Sequence, residues 1–159
     1  HHWKSAAFVL NRFHVLNSKQ KYIDYFFELF TNPKNLNLFQ SSLHTIKAKT
    51  DKAGKKLVAF VFPLFGLPLD KTYPFHPIHE KAREILTAEM IENTDLYENY
   101  KDIPIEHLQV IPGKDFHPNE IGHRIAAEAM YNYLVQNKLV PDWAVIKRSF
   151  QERIGIELK

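Results

Sequence analysis

Apolar positions along the first third of the chain recur at helical intervals. Tyr22, Ile23, Phe26, Phe27 and Phe30 fall three and four residues apart, which predicts a helix from Ser18 to Phe30 with one apolar face. Asn32-Pro33 should stop it, since proline cannot continue the backbone ladder. Leu36, Phe39, Leu43 and Ile46 set a second helical phase, which should run out in the polar stretch Lys49 to Lys52 with Gly54 as its C-terminal cap.

The pattern then changes period. Leu57 to Phe62 is an unbroken apolar run rich in β-branched and aromatic residues, the signature of a strand buried on both faces of a parallel sheet. Pro63, Gly66, Pro68, Pro74 and Pro77 punctuate the loop that follows, at the strand end where open α/β sheets bind ligands. Ala82, Ile85, Leu86 and Met90 or Ile91 predict a helix from His79 to Ile91. After Asp95-Leu96-Tyr97 and a polar stretch to Asp102, a short strand is expected around Leu108 to Ile111, closed by Pro112-Gly113. The last strong helix should start at Pro118, a favoured first helical position, with Ile121, Ile125, Ala129 and Tyr133 on one face and Asn137 near its end. Helix, glycine turn and buried strand are half of an α/β crossover, so the fold class is α/β. Residues 1–140 read as one domain, and residues 141–159, with Trp143, Ile146 and Phe150 in helical phase, as an amphipathic extension.

Composition narrows the partners. In 159 residues, 45% hydrophobic content with 13% aromatics suffices for an ordinary core. The 21 basic and 18 acidic residues are interspersed, with no basic run to track a phosphate backbone, so nucleic acid is not an expected partner. No window is long and apolar enough to span a bilayer, so no transmembrane segment is expected either. Cysteine is absent, which excludes disulfides and thiolate chemistry and suits an exported or periplasmic protein as well as a cytosolic one. His1 and His2 enter no functional argument.

The candidate chemistry lies at Asp115 and His117, ahead of the helix from Pro118. An imidazole can take a proton from a hydroxyl and return it to a leaving group, while a carboxylate fixes its tautomer and stabilises the imidazolium. The plainer reading has His117 capping the helix and Asp115 as an ordinary turn residue. His76-Pro77-Ile78-His79 offers two metal-binding side chains without an evident third ligand, so neither metal nor cofactor is expected.

The string Asp115-Phe116-His117-Pro118-Asn119-Glu120-Ile121-Gly122-His123-Arg124-Ile125-Ala126-Ala127-Glu128 resembles the last sequence block of the SGNH (GDSL-type) serine hydrolases. Val58 to Pro63, the helix from His79 and Asp95-Leu96-Tyr97 precede it in that family's order, so the resemblance spans about residues 36–139. It implies a three-layer α/β/α, flavodoxin-like fold around a parallel sheet. It also implies His117 as catalytic base, Asp115 as its orienting acid, and His123 in a structural hydrogen bond behind the site. The family's commoner spacing puts the acid three residues before the histidine, where this chain has Lys114.

Two of the family's blocks are absent: the Gly-Asp-Ser nucleophile and the Gly-x-Asn-Asp oxyanion asparagine. Ser5, Ser18, Ser41, Ser42 and Ser149 follow no strand-to-helix glycine turn and read as caps or surface hydroxyls. The expectation is thus the acid-base part of a carboxylester hydrolase or O-acyltransferase, inactive alone. An N-terminal segment would supply the nucleophile and further strands, and the substrate would be an ester or acyl-bearing small molecule, lipid or glycan. The rival expectation is a non-catalytic interaction module on a degenerate hydrolase fold, presenting aromatic residues such as Trp143 and Tyr133.

Overall fold

The computed structural model describes residues 18–141, so the amphipathic helix expected beyond Pro141 lies outside them. The described residues form two compact units, the first of residues 18–57 and Pro74–Glu92, the second of Val58–Tyr73 and residues 93–141.

The first unit is helical. Helix α1 covers residues 18–31, and its apolar face closes on Phe75, with Tyr22, Phe26 and Phe27 at ring-centroid distances of 6.0, 5.6 and 6.0 Å. Helix α2 runs Pro33–Lys52, so Asn32-Pro33 does punctuate the two helices: the Asn32 side chain accepts from Lys34 N–H and Pro33 opens the next turn. Its end is the expected glycine cap. Gly54 takes φ +62°, and the amides of Gly54 and Lys55 donate to Asp51 and Thr50 carbonyls, closing a Schellman turn. Helix α3 spans His76–Ala88 and buries Ile78, His79, Ala82, Ile85 and Leu86. It starts three residues before the expected His79 because Pro77 sits in its first turn, where the missing N–H costs nothing.

The second unit is where strands form. Strand β1 (Val58–Val61) pairs with β2 (Glu92–Asp95) in a small parallel sheet, extended by Leu96 N–H donating to the Val61 carbonyl at 2.9 Å. The burial expected on both faces of β1 is not observed. Its four residues are half-buried and Phe62 beyond them is exposed, because β2 is its one partner strand among the described residues. The chain therefore folds as a mixed α/β protein with helices and a small parallel sheet.

The proline-rich stretch after β1 is core rather than an open loop. Pro63, Phe65, Leu67, Leu69 and Tyr73 are all buried. Leu64 N–H donates to the Tyr73 hydroxyl, and Asp102 N–H to the Leu69 carbonyl. Short helix α4 (Tyr97–Tyr100) and a 3-10 turn at Ile105–His107 lead to an antiparallel pair, β3 (Gln109–Ile111) and β4 (Asp115–Pro118). Helix α5 (Glu120–Gln136) follows and meets β1 through Tyr133 and Phe60, whose rings lie edge to face at 5.5 Å.

Candidate active site

Asp115 and His117 sit on β4, not in a turn, and α5 begins at Glu120 rather than Pro118. A local turn contact explains why the pair meets: an aspartate carboxylate readily accepts the backbone N–H two residues on, and Asp115 does so from His117. The short Asp-x-His spacing lets one carboxylate oxygen reach both the backbone N–H and the imidazole of His117.

The contact itself is tight. Asp115 Oδ1 lies 2.6 Å from His117 Nδ1, and the same oxygen accepts the His117 backbone N–H at 3.1 Å. That backbone bond, reinforced by the imidazole, holds the Asp115 carboxyl below the usual carboxylate range. An ionised carboxylate can only accept, so His117 donates from Nδ1, and in the neutral ring that leaves the lone pair on Nε2. This is the tautomer a general base needs. The His117 side chain is 87% exposed and that of Asp115 38%. An exposed pair of this kind adds little to stability, and the backbone bond taken alone is the ordinary turn role of an aspartate.

The reading of His117 as a helix cap is overturned. The cap is Asn119, whose Oδ1 accepts from Ile121 and Gly122 N–H. Its amide nitrogen donates to the carbonyls of His107 and Gln109 at 2.9 and 3.2 Å, and its backbone N–H to Leu108. One side chain therefore ties the start of α5 to the residues around β3. Gly122 makes the join close: a Cβ there would meet Pro118 Cβ at 2.9 Å and the Leu108 carbonyl at 3.4 Å. Buried Tyr100 donates its hydroxyl to the Gly122 carbonyl at 2.8 Å, and burial pushes that phenol up to about 12. Within the block from Asp115 to Glu128, Asn119 and Gly122 are thus the mounting, and Asp115 and His117 the mounted groups.

His123 does not take the buried role expected of it. It lies exposed on α5. The residue that sequence reasoning missed is Gln109, 4% exposed. Its Nε2 donates to the Phe65 carbonyl at 2.6 Å and its Oε1 accepts from Gly113 N–H at 2.8 Å. A lone amide in the apolar run Leu108-Gln109-Val110-Ile111 was the available signal.

Ser41 and Ser42 donate back to the Leu38 carbonyl within α2, the surface role expected of them. The described part of the second unit, which carries the pair, contains no serine. No three His, Asp or Glu side chains gather as a metal site among the described residues. No described helix is long and apolar enough to cross a membrane. Comparison with protein-family models, with curated proteins and with solved structures finds no match.

Proposed function

We propose that Asp115 and His117 are the acid-base pair of an SGNH-type ester hydrolase or O-acyltransferase, working on a serine supplied by polypeptide outside this sequence. The observation that carries the reading is the contact of Asp115 with His117 Nδ1, which leaves Nε2 as a free, oriented base. In such a centre Nε2 takes the serine hydroxyl proton as the oxygen attacks the ester carbonyl. The resulting imidazolium then protonates the departing alcohol. A second cycle, with water or an acceptor hydroxyl in place of serine, releases the acyl group. Asp115 holds the ring in place and stabilises its charged form without being protonated itself.

The three-layer fold belongs to the same proposal. The half-buried strand β1 and β2, its one partner among the described residues, would be the edge of a larger parallel sheet, since all-parallel sheets are covered on both faces. The resemblance of the Asp115 to Glu128 block, together with the order of elements before it, supports this extension.

The non-catalytic reading draws on the absence of serine from the described part of the unit that holds the pair. A fluorophosphonate probe on the protein with its natural flanking sequence separates the two. The serine-hydrolase reading expects a labelled serine, with labelling slowed roughly a hundredfold or more by His117→Ala, the scale of general-base assistance. Absence of labelling in that protein would leave the interaction module standing.

A further inference from the structure

We propose that Gln109 is the positioning residue for the Asp115–His117 pair, its buried amide locking the β3–β4 turn to the segment that follows β1. The functional meaning of this role rests on the acid-base reading above, but its physical basis does not.

The ladder of β3 and β4 cannot by itself set where β4 begins. The two strands pair at Gln109 with Pro118 and at Ile111 with Asp115, and a bulge lies between those pairs. An irregular ladder of this length specifies register weakly, and a one-residue slip would send Asp115 and His117 to the other face. The turn that joins the strands passes through Gly113 in the left-handed region at φ +71°, with Lys114 N–H returned to the Ile111 carbonyl. What pins this turn is the Gln109 side chain. Its Oε1 takes the Gly113 N–H, its Nε2 is anchored on the Phe65 carbonyl, and its own carbonyl receives the Asn119 amide. Phe65 in turn packs edge to face on Tyr100 at 5.0 Å. The buried side-chain amide thus links the core segment after β1 to the turn before Asp115, and the backbone carbonyl of the same residue holds the cap after His117. Both ends of that amide are satisfied, which is the condition for a buried polar group to specify one arrangement.

Two substitutions in the whole chain test this. Gln109→Met keeps the volume and removes both hydrogen bonds, whereas Gln109→Glu, examined at mildly acidic pH where its carboxyl is protonated, keeps an acceptor for Gly113 N–H and a donor for the Phe65 carbonyl. With Gln109→Met, hydrogen exchange at Gly113 should speed up about tenfold, the loss of one hydrogen bond. The Asp115 carboxyl, followed by its carbon-13 shift, should titrate closer to the ordinary aspartate range. Amides around Tyr100 and Leu108 should stay protected. With Gln109→Glu, Gly113 protection should persist. A purely structural glutamine would leave the Asp115 titration where it is, so an unchanged midpoint in Gln109→Met overturns the proposal. If Gln109→Met does not fold, Gln109→Glu decides: free exchange at Gly113 overturns the proposal and retained protection upholds it. None of these readouts needs turnover, so their failure is distinct from a failure to label a serine.

Discussion

Asn119 and Asp115 show how much a single polar side chain can fix in this chain. Asn119 uses its acceptor on the first turn of α5 and its donors on His107 and Gln109. The two halves of its amide can be separated by substitution. Asn119→Asp keeps the cap but turns a carboxylate toward two carbonyls, whereas Asn119→Ala loses both. We expect the alanine variant to cost at least about 1 kcal/mol from the cap alone, measured by denaturant unfolding. The aspartate variant should keep the first turn of α5 protected from exchange while loosening the end of β3. Equal loss of protection at the first turn of α5 in both would show that the cap acceptor carries no weight.

Asp115 makes a second residue-scale prediction. Its folded carboxyl binds a proton less readily than an unfolded one, because His117 N–H and the imidazole favour the charged form. The tie between the two residues is therefore complete above the ordinary aspartate range and lost as pH falls through the lowered folded value. A carbon-13 titration should place the Asp115 midpoint below that of an unstructured peptide. His117→Ala should move it only part of the way back, since the backbone bond remains. A midpoint at the ordinary value in the parent protein would contradict the geometry.

Among the elements, α5 and the β3–β4 pair are the ones that matter, and their join passes through Gly122. Alanine is the better helix former by about 1 kcal/mol, so Gly122→Ala would stabilise a free helix. Here the new methyl meets a proline ring carbon at 2.9 Å and a backbone carbonyl at 3.4 Å, neither on a flexible side chain. Overpacking of that kind costs roughly 1–3 kcal/mol, so the net effect on unfolding should be destabilising. A stabilised variant would mean that α5 is not seated on Pro118 and Leu108 as described. Tyr100→Phe should cost about 1 kcal/mol through the lost bond to Gly122.

The same elements show what the sequence could and could not reveal. The helical faces of α1, α2 and α3 and the Gly54 cap were legible because apolar period and cap chemistry agree there. Strand β2 was not, since Glu92-Asn93-Thr94-Asp95 carries no apolar alternation and its extended form is imposed by pairing with β1. Strand β4 was hidden by Pro118, which reads as a helix start until Asn119 is seen to cap α5. The pair at Asp115 and His117 was visible as residue types. Its spacing made sense only once the Asp115 carboxylate was seen to accept the His117 backbone N–H. Gln109 was invisible as a site residue because its partners, Phe65 and Gly113, are brought to it by the fold.

At the scale of the whole molecule, the helical unit and the unit with strands differ in what they offer. The former holds its own histidine–carboxylate contact, where Glu89 accepts from Gln40 at 2.8 Å and meets His44 Nδ1 at 2.9 Å. These partners, Gln40 foremost, keep the Glu89 carboxyl below its usual range. That contact joins two helices and explains itself as packing. The Asp115–His117 contact is local to β4, between residues two apart, and holds a mostly exposed imidazole at Nδ1. That is the arrangement the proposed acid-base role requires.

The most direct test is hydrolysis of a short-chain nitrophenyl ester by the protein with its natural flanking sequence, compared with His117→Ala. In the variant kcat/KM should fall roughly a hundredfold to ten-thousandfold, while the fold, read by exchange at Tyr100 and Leu108, is unchanged. Equal turnover by the two proteins would contradict a base role for His117.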